Sequence, residues 1–127
     1  MRKALFHNLN LLYHQKVNIF KGAYHNWHLV KSVACSSGKA STPTIKGLFT
    51  DGNKGSYFIS SGGARCKDYT QITGNYLFHS ILYDRSGSYI IDGTLGVPVS
   101  HGCVRLALEN AEFIYYNIQT GTTIWSN

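Results

Sequence analysis

The run Ser100-His101-Gly102-Cys103-Val104-Arg105, read with His79 upstream, holds the residue types that nucleophilic acyl chemistry needs. A cysteine nucleophile requires a base for its proton, donors for the oxyanion that forms, and access for substrate. Cys103 supplies the sulfur. His79 and His101 are both available as bases, since imidazole titrates near neutral pH. Gly102 allows a tight turn just before the sulfur and bares backbone N–H groups there. A helix-like stretch follows Cys103 closely, and the positive end of a helix dipole would favour a thiolate. Ser100 reads as a local hydrogen-bonding group rather than a second nucleophile. Arg105 either binds a substrate carboxylate bidentately or pairs with a nearby acid. Tyr76 either lines a substrate channel or packs in the core.

Those chemical residues must be positioned by a fold, and most of the chain reads as strand. Lys16 to Phe20 alternates polar and apolar residues, as a half-buried strand does. Trp27 to Cys35 is rich in aromatic and β-branched residues, with residues 22–26 as the connecting hairpin loop. Gly47 to Thr50, Ser56 to Ser61, Asp68 to Thr73, Tyr76 to Leu82 and Tyr89 to Ile91 follow, separated by turn signals such as Gly62-Gly63 and Gly74-Asn75. Pro43 marks an edge or irregular start before Gly47. The one clear helix spans Leu108 to Ile118, where Leu108, Ala111, Tyr115 and Ile118 recur at helical steps. Thr122 to Trp125 is a last strand. Many strands with one late helix predict a mostly β fold, a β-sandwich or open barrel.

The segment Tyr76-Leu77-Phe78-His79-Ser80, followed by Ser100-His101-Gly102-Cys103-Val104-Arg105-Leu106, resembles the active-site signature of the L,D-transpeptidase (YkuD) catalytic domain. The interval of 21 residues from His79 to Ser100 is slightly long for that family and implies an insertion. Val30 to Gly38, Thr42 to Thr50 and the tail Glu109 to Ile124 resemble the same domain, so the likeness runs from about Gln15 to Trp125. It implies a mostly β, sandwich-like domain over residues 15–127, with residues 1–14 as an N-terminal extension. It also implies catalysis by Cys103 with His79 as base; His101 is either a second polar wall of the site or a turn residue. The Ser80 carbonyl would orient the His79 ring, and backbone N–H groups at Gly102 and Cys103 would hold the oxyanion. The implied reaction is acyl transfer from a peptidoglycan tetrapeptide stem to an acceptor amine, forming a 3-3 crosslink. Carbapenem-type inhibitors would acylate the same cysteine. Resolution by water instead would make an L,D-carboxypeptidase. A wall-binding module without catalysis is the competing class. A papain-like protease is disfavoured, because there the cysteine comes early and the histidine late.

Composition bounds the remaining possibilities. A chain of 127 residues with 43% hydrophobic residues is one domain with a packed core. The net charge is +6, and all seven Lys/Arg before Asp51 stand without an acidic residue among them. That asymmetry reads equally as attraction to an anionic wall polymer or as plain solubility. The lysines are scattered singly, without a basic helix, which argues against nucleic acid. No apolar run reaches the length of a membrane span. The first residues do not read as a signal peptide, so an extracytoplasmic, cell-wall location follows from the resemblance alone. With Cys103 as nucleophile, Cys35 and Cys66 are either a disulfide, as an oxidising compartment would favour, or two small buried apolar residues. The spacings of His7, His14, His25 and His28 match no familiar metal-ligand set. The chemistry calls for no metal or organic cofactor.

Overall fold

The computed structural model describes residues 3–8, 15–23 and 26–126, with the backbone alone at 3–8 and Ala23. The metal reading of the early histidines therefore falls largely outside it, since His14 and His25 are not described and His7 is described in backbone only. Of the stretch 1–14, one strand is visible.

Among the described residues the chain forms eleven strands and one helix. The strands are β1 (Lys3–Asn8), β2 (Lys16–Ala23), β3 (Asn26–Ser36), β4 (Gly47–Thr50), β5 (Lys54–Ile59), β6 (Arg65–Thr73), β7 (Tyr76–Ser80), β8 (Leu82–Tyr83), β9 (Ile90–Asp92), β10 (Val104–Leu106) and β11 (Thr123–Ser126); the helix α1 is Leu108–Asn117. They join in the order β4-β11-β1-β2-β3-β10-β7-β6-β8-β9, with β5 on the other side of β6. The sheet does not close on itself, so the fold is mostly β and open, as the strand pattern predicts. β1 adds a strand between β2 and β11, with Phe6 opposite both Ile19 and Ile124.

The alternation in β2 and β3 turns Val17, Ile19, Val33 and Cys35 to one face. They meet Ile72, Phe78, Val104, Leu106 and Ile124 in one core, which α1 closes with Ala111 and Ile114. Burying each such aliphatic side chain contributes on the order of 1.5–3 kcal/mol.

Two expectations are corrected here. The helix starts at Leu108 as its spacing predicts, but β10 lies between it and Cys103, so the sulfur does not sit at the helix N-terminus. The local apolar spacing of α1 is visible in sequence, whereas three residues of central strand carry no period to read. The second correction concerns Cys35 and Cys66, which are thiols and not a disulfide. They stand on β3 and β6, with β10 and β7 between them. Three strand spacings amount to roughly 14 Å, far beyond the Cα separation a disulfide spans. Burial pushes the Cys35 thiol up to about 12 and the Cys66 thiol up to about 11. One thiol per native chain should therefore react quickly with a maleimide or iodoacetamide, at the half-exposed Cys103. All three should react after unfolding without reductant; two slow or absent thiols in the unfolded protein would contradict the unbridged state.

Candidate active site

β7 and β10 are parallel neighbours, with Val104 opposite Phe78, Arg105 opposite His79 and Leu106 opposite Ser80. Parallel strands need a long crossover between them. The interval between His79 and Cys103 is that crossover, and it carries β8, β9 and the loop back to the sheet. Phe78 and Val104 point into the core. By the strand alternation His79 and Arg105 share the opposite face, and Cys103 stands just before β10 at its mouth; the Arg105 charge acts on both the imidazole and the thiol.

His79 is buried, 4% exposed, with the Phe58 ring edge-on at 5.3 Å between centroids. Its Nδ1 lies 2.6 Å from the Ser80 carbonyl oxygen. A carbonyl can only accept, so Nδ1 carries the proton and Nε2 keeps its lone pair. Burial pulls this imidazole down to about 4; the Ser80 bond opposes that and the Arg105 charge adds to it. Burial also raises the Cys103 thiol, against the Leu77 N–H and the Arg105 charge. The Cys103 Sγ donates to the Asn75 carbonyl at 3.4 Å. At rest both groups are neutral, a thiol at Cys103 and an imidazole at His79.

The turn before the sulfur is held from several sides. Gly102 has φ +129°, where side chains are strained, and a Cβ there would meet the Tyr76 ring at 2.9 Å. Ser100 Oγ accepts from the Gly102 N–H at 3.1 Å and donates to the Cys103 carbonyl at 2.6 Å. Gly102 N–H is therefore engaged within the loop, and of the two expected oxyanion donors the Cys103 N–H is the one not so occupied by Ser100. Tyr76 is half-buried, packed against the core and over Gly102. His101 is exposed beside them.

Arg105 is buried and pairs with a nearby acid: Nη1 lies 3.1 Å from Asp92 Oδ2, at the end of β9. Hydrogen bonds from Thr94, with the Arg105 charge behind them, hold the Asp92 carboxyl below its usual range. Its Nε has no partner among the described residues.

Several supporting residues escape sequence reasoning. Asp92 comes from a distant edge strand. Gln15 Nε2 donates to Ser37 Oγ at 2.9 Å and its Oε1 accepts from the Ser37 N–H at 2.9 Å, and the Ser37 carbonyl then accepts from the N–H groups of Val99 and Ser100. Thr44 and Phe58 also reach the site. Only Thr44 had a visible signal, since it falls in the family-like stretch Thr42 to Thr50.

Over residues 14–125 the chain matches the YkuD family, the L,D-transpeptidase catalytic domain. The chain belongs to the L,D-transpeptidase catalytic-domain family. Within it, the chain is 30% identical over 119 residues to YciB of Bacillus subtilis (strain 168), a protein assigned to the L,D-transpeptidases, covering 87% of this chain and 59% of that protein. It superposes with TM-score 0.78 and 44% identity on a fused Zn-dependent amidase/peptidase/peptidoglycan-binding domain-containing protein from Clostridium acetobutylicum ATCC 824, covering 99% of this chain and 51% of that one. An L,D-transpeptidase solved in complex with imipenem shares the fold at TM-score 0.76 and 20% identity, over 99% of this chain and 59% of that one. The chain thus spans a little over half the length of these relatives. Among the described residues, no three His, Cys, Asp or Glu side chains come together as a metal site would need. No helix there is long and apolar enough to cross a membrane.

The buried histidine of this L,D-transpeptidase domain gives an acid-stability prediction. The native state keeps His79 neutral down to about 4, while an unfolded histidine protonates near 6.5. Between those values the unfolded chain binds more protons. Stability is therefore full above 6.5 and lost as pH falls toward 4, by at most about 1.4 kcal/mol per pH unit. Melting curves should show a larger drop from pH 7 to pH 5 for wild type than for His79→Gln. Equal drops would contradict the buried neutral ring.

Proposed function

We propose that this domain is a peptidoglycan L,D-transpeptidase working by cysteine acyl transfer. The observation that carries the reading is a partly exposed Cys103 at the start of β10, whose parallel neighbour β7 carries the buried His79. The bond from Nδ1 to Ser80 leaves Nε2 as the base.

Cys103 Sγ attacks the carbonyl of the third stem residue, a diamino acid, and its proton passes to His79 Nε2. The carbonyl oxygen becomes an oxyanion facing the Cys103 N–H. Collapse breaks the amide bond, and His79 returns the proton to the departing D-alanine amine. The thioester is then attacked by an amine of a second stem. His79 takes that amine's proton and gives it to the departing sulfur, which restores the thiol. No redox step occurs, and each proton is accounted for by His79.

Arg105, held by Asp92, lies beneath the pair and favours the thiolate as it forms. His101 and Tyr76 flank the opening. The relative bound to imipenem supports carbapenem acylation of this site as well. The first fifty residues, basic and without a carboxylate, suit an anionic wall surface, consistent with work outside the cytoplasm.

Purified disaccharide-tetrapeptides test the reading by product mass. Dimers lacking one terminal alanine are expected. Tripeptide monomers alone would make the domain an L,D-carboxypeptidase, and unchanged substrate with bound muropeptide would make it a wall-binding module.

A further inference from the structure

The oxyanion donor in this site belongs to a peptide whose other end is held by a residue far away in sequence. Thr44 is 2% exposed and lies in the irregular stretch before β4. Its Oγ1 accepts from the Gly38 N–H at 2.9 Å and donates to the Gly102 carbonyl oxygen at 2.7 Å. The hydroxyl thus has one donor to satisfy and one acceptor to aim at, and it does both. Gly102 C=O and Cys103 N–H belong to one planar trans peptide, so they point in opposite directions. Fixing the carbonyl toward buried Thr44 turns the N–H away from the interior.

Ser100 and Thr42 secure the neighbouring groups. Ser100 Oγ holds the Gly102 N–H and the Cys103 carbonyl, and Thr42 Oγ1 donates to the Ser100 carbonyl at 2.9 Å. Neither touches the Gly102 carbonyl. Gly102 itself, at φ +129°, is a residue whose backbone rotates readily without an external restraint.

We propose that Thr44 is a positioning residue for acylation: by holding the Gly102 carbonyl it aims the Cys103 N–H at the oxyanion. The inference rests on the cysteine acyl-transfer reading and assigns its electrostatic stabilisation to one side-chain hydroxyl.

The test separates two reactions of one sulfur. Acylation by imipenem passes through an oxyanion; alkylation by iodoacetamide is substitution at a saturated carbon and forms none. Thr44→Val removes the hydroxyl with little change of shape. It should slow acylation roughly ten- to a hundredfold, somewhat less than the loss of an oxyanion donor outright. Alkylation should stay within about twofold. Thr44→Ser keeps the hydroxyl and should match wild type in both reactions. If Thr44→Val does not give a wild-type circular dichroism spectrum, Thr44→Ala carries the same expectation. Unchanged acylation in a folded hydroxyl-less variant would overturn the inference, as would alkylation falling in step with acylation. Wild-type protein that alkylates at Cys103 but never acylates would instead overturn the acyl-transfer reading, and this inference with it.

Discussion

Cys103→Ser is expected to lower acylation by imipenem or muropeptide by about four orders of magnitude or more, the scale seen when a covalent nucleophile is removed. The replacement is nearly isosteric, and the sulfur makes only weak bonds, to the Asn75 carbonyl and from the Leu77 N–H. Fold and melting temperature should therefore hold within a few degrees. A serine hydroxyl is far less acidic than even the raised thiol, and an imidazole pulled down to about 4 is a weak base for it. Intact-mass spectra over a long incubation are the measurement. Measurable turnover near the wild-type rate would remove Cys103 from the mechanism.

His79→Ala should slow acylation by roughly two to four orders of magnitude, the usual contribution of a positioned general base. The pH profile should change as well. In wild type the base is competent while His79 is neutral, so the rate should fall only as pH drops toward about 4. Without His79 the thiol must ionise unaided, so the residual rate should keep climbing with pH toward the raised thiol value. The substitution also removes the ring packed on Phe58 and orphans the Ser80 carbonyl. His79→Gln, which retains bulk and a donor, controls for that loss. An unaltered acylation rate would shift the base role to the exposed His101.

The strand pair that carries the candidate site was only half legible in sequence. β7 announces itself through Tyr76 to Phe78, and the turn through Ser100-His101-Gly102. The two are tied together by the family signature and not by any local pattern, because a parallel pairing across a crossover leaves no periodic trace. The same reason hides β10, three buried residues between a loop and a helix. The apparent continuity of Tyr76 to Leu82 conceals a break at Ile81, whose N–H turns to Leu106. Helix α1 was readable because its apolar spacing is local. Of the two alternatives for Cys35 and Cys66, the bridge is excluded by topology: both are buried, but Cys35 is in the core while Cys66 stands opposite Phe58, on a strand separated from β3 by the pair that carries the site. Asp92, Gln15 and Phe58 serve the site through contacts made only when distant strands meet. Thr44 sits in a stretch that resembled the family, yet nothing in its type foretold a bond to the Gly102 carbonyl.

The most direct measurement is the intact mass of the wild-type domain after brief exposure to imipenem at neutral pH, followed by peptide mapping. Opening a β-lactam ring expels no leaving group, so the account predicts one adduct per chain with the mass of the whole inhibitor, carried on Cys103. An unmodified chain, or an adduct on Cys35, Cys66 or a residue outside the site, would contradict it.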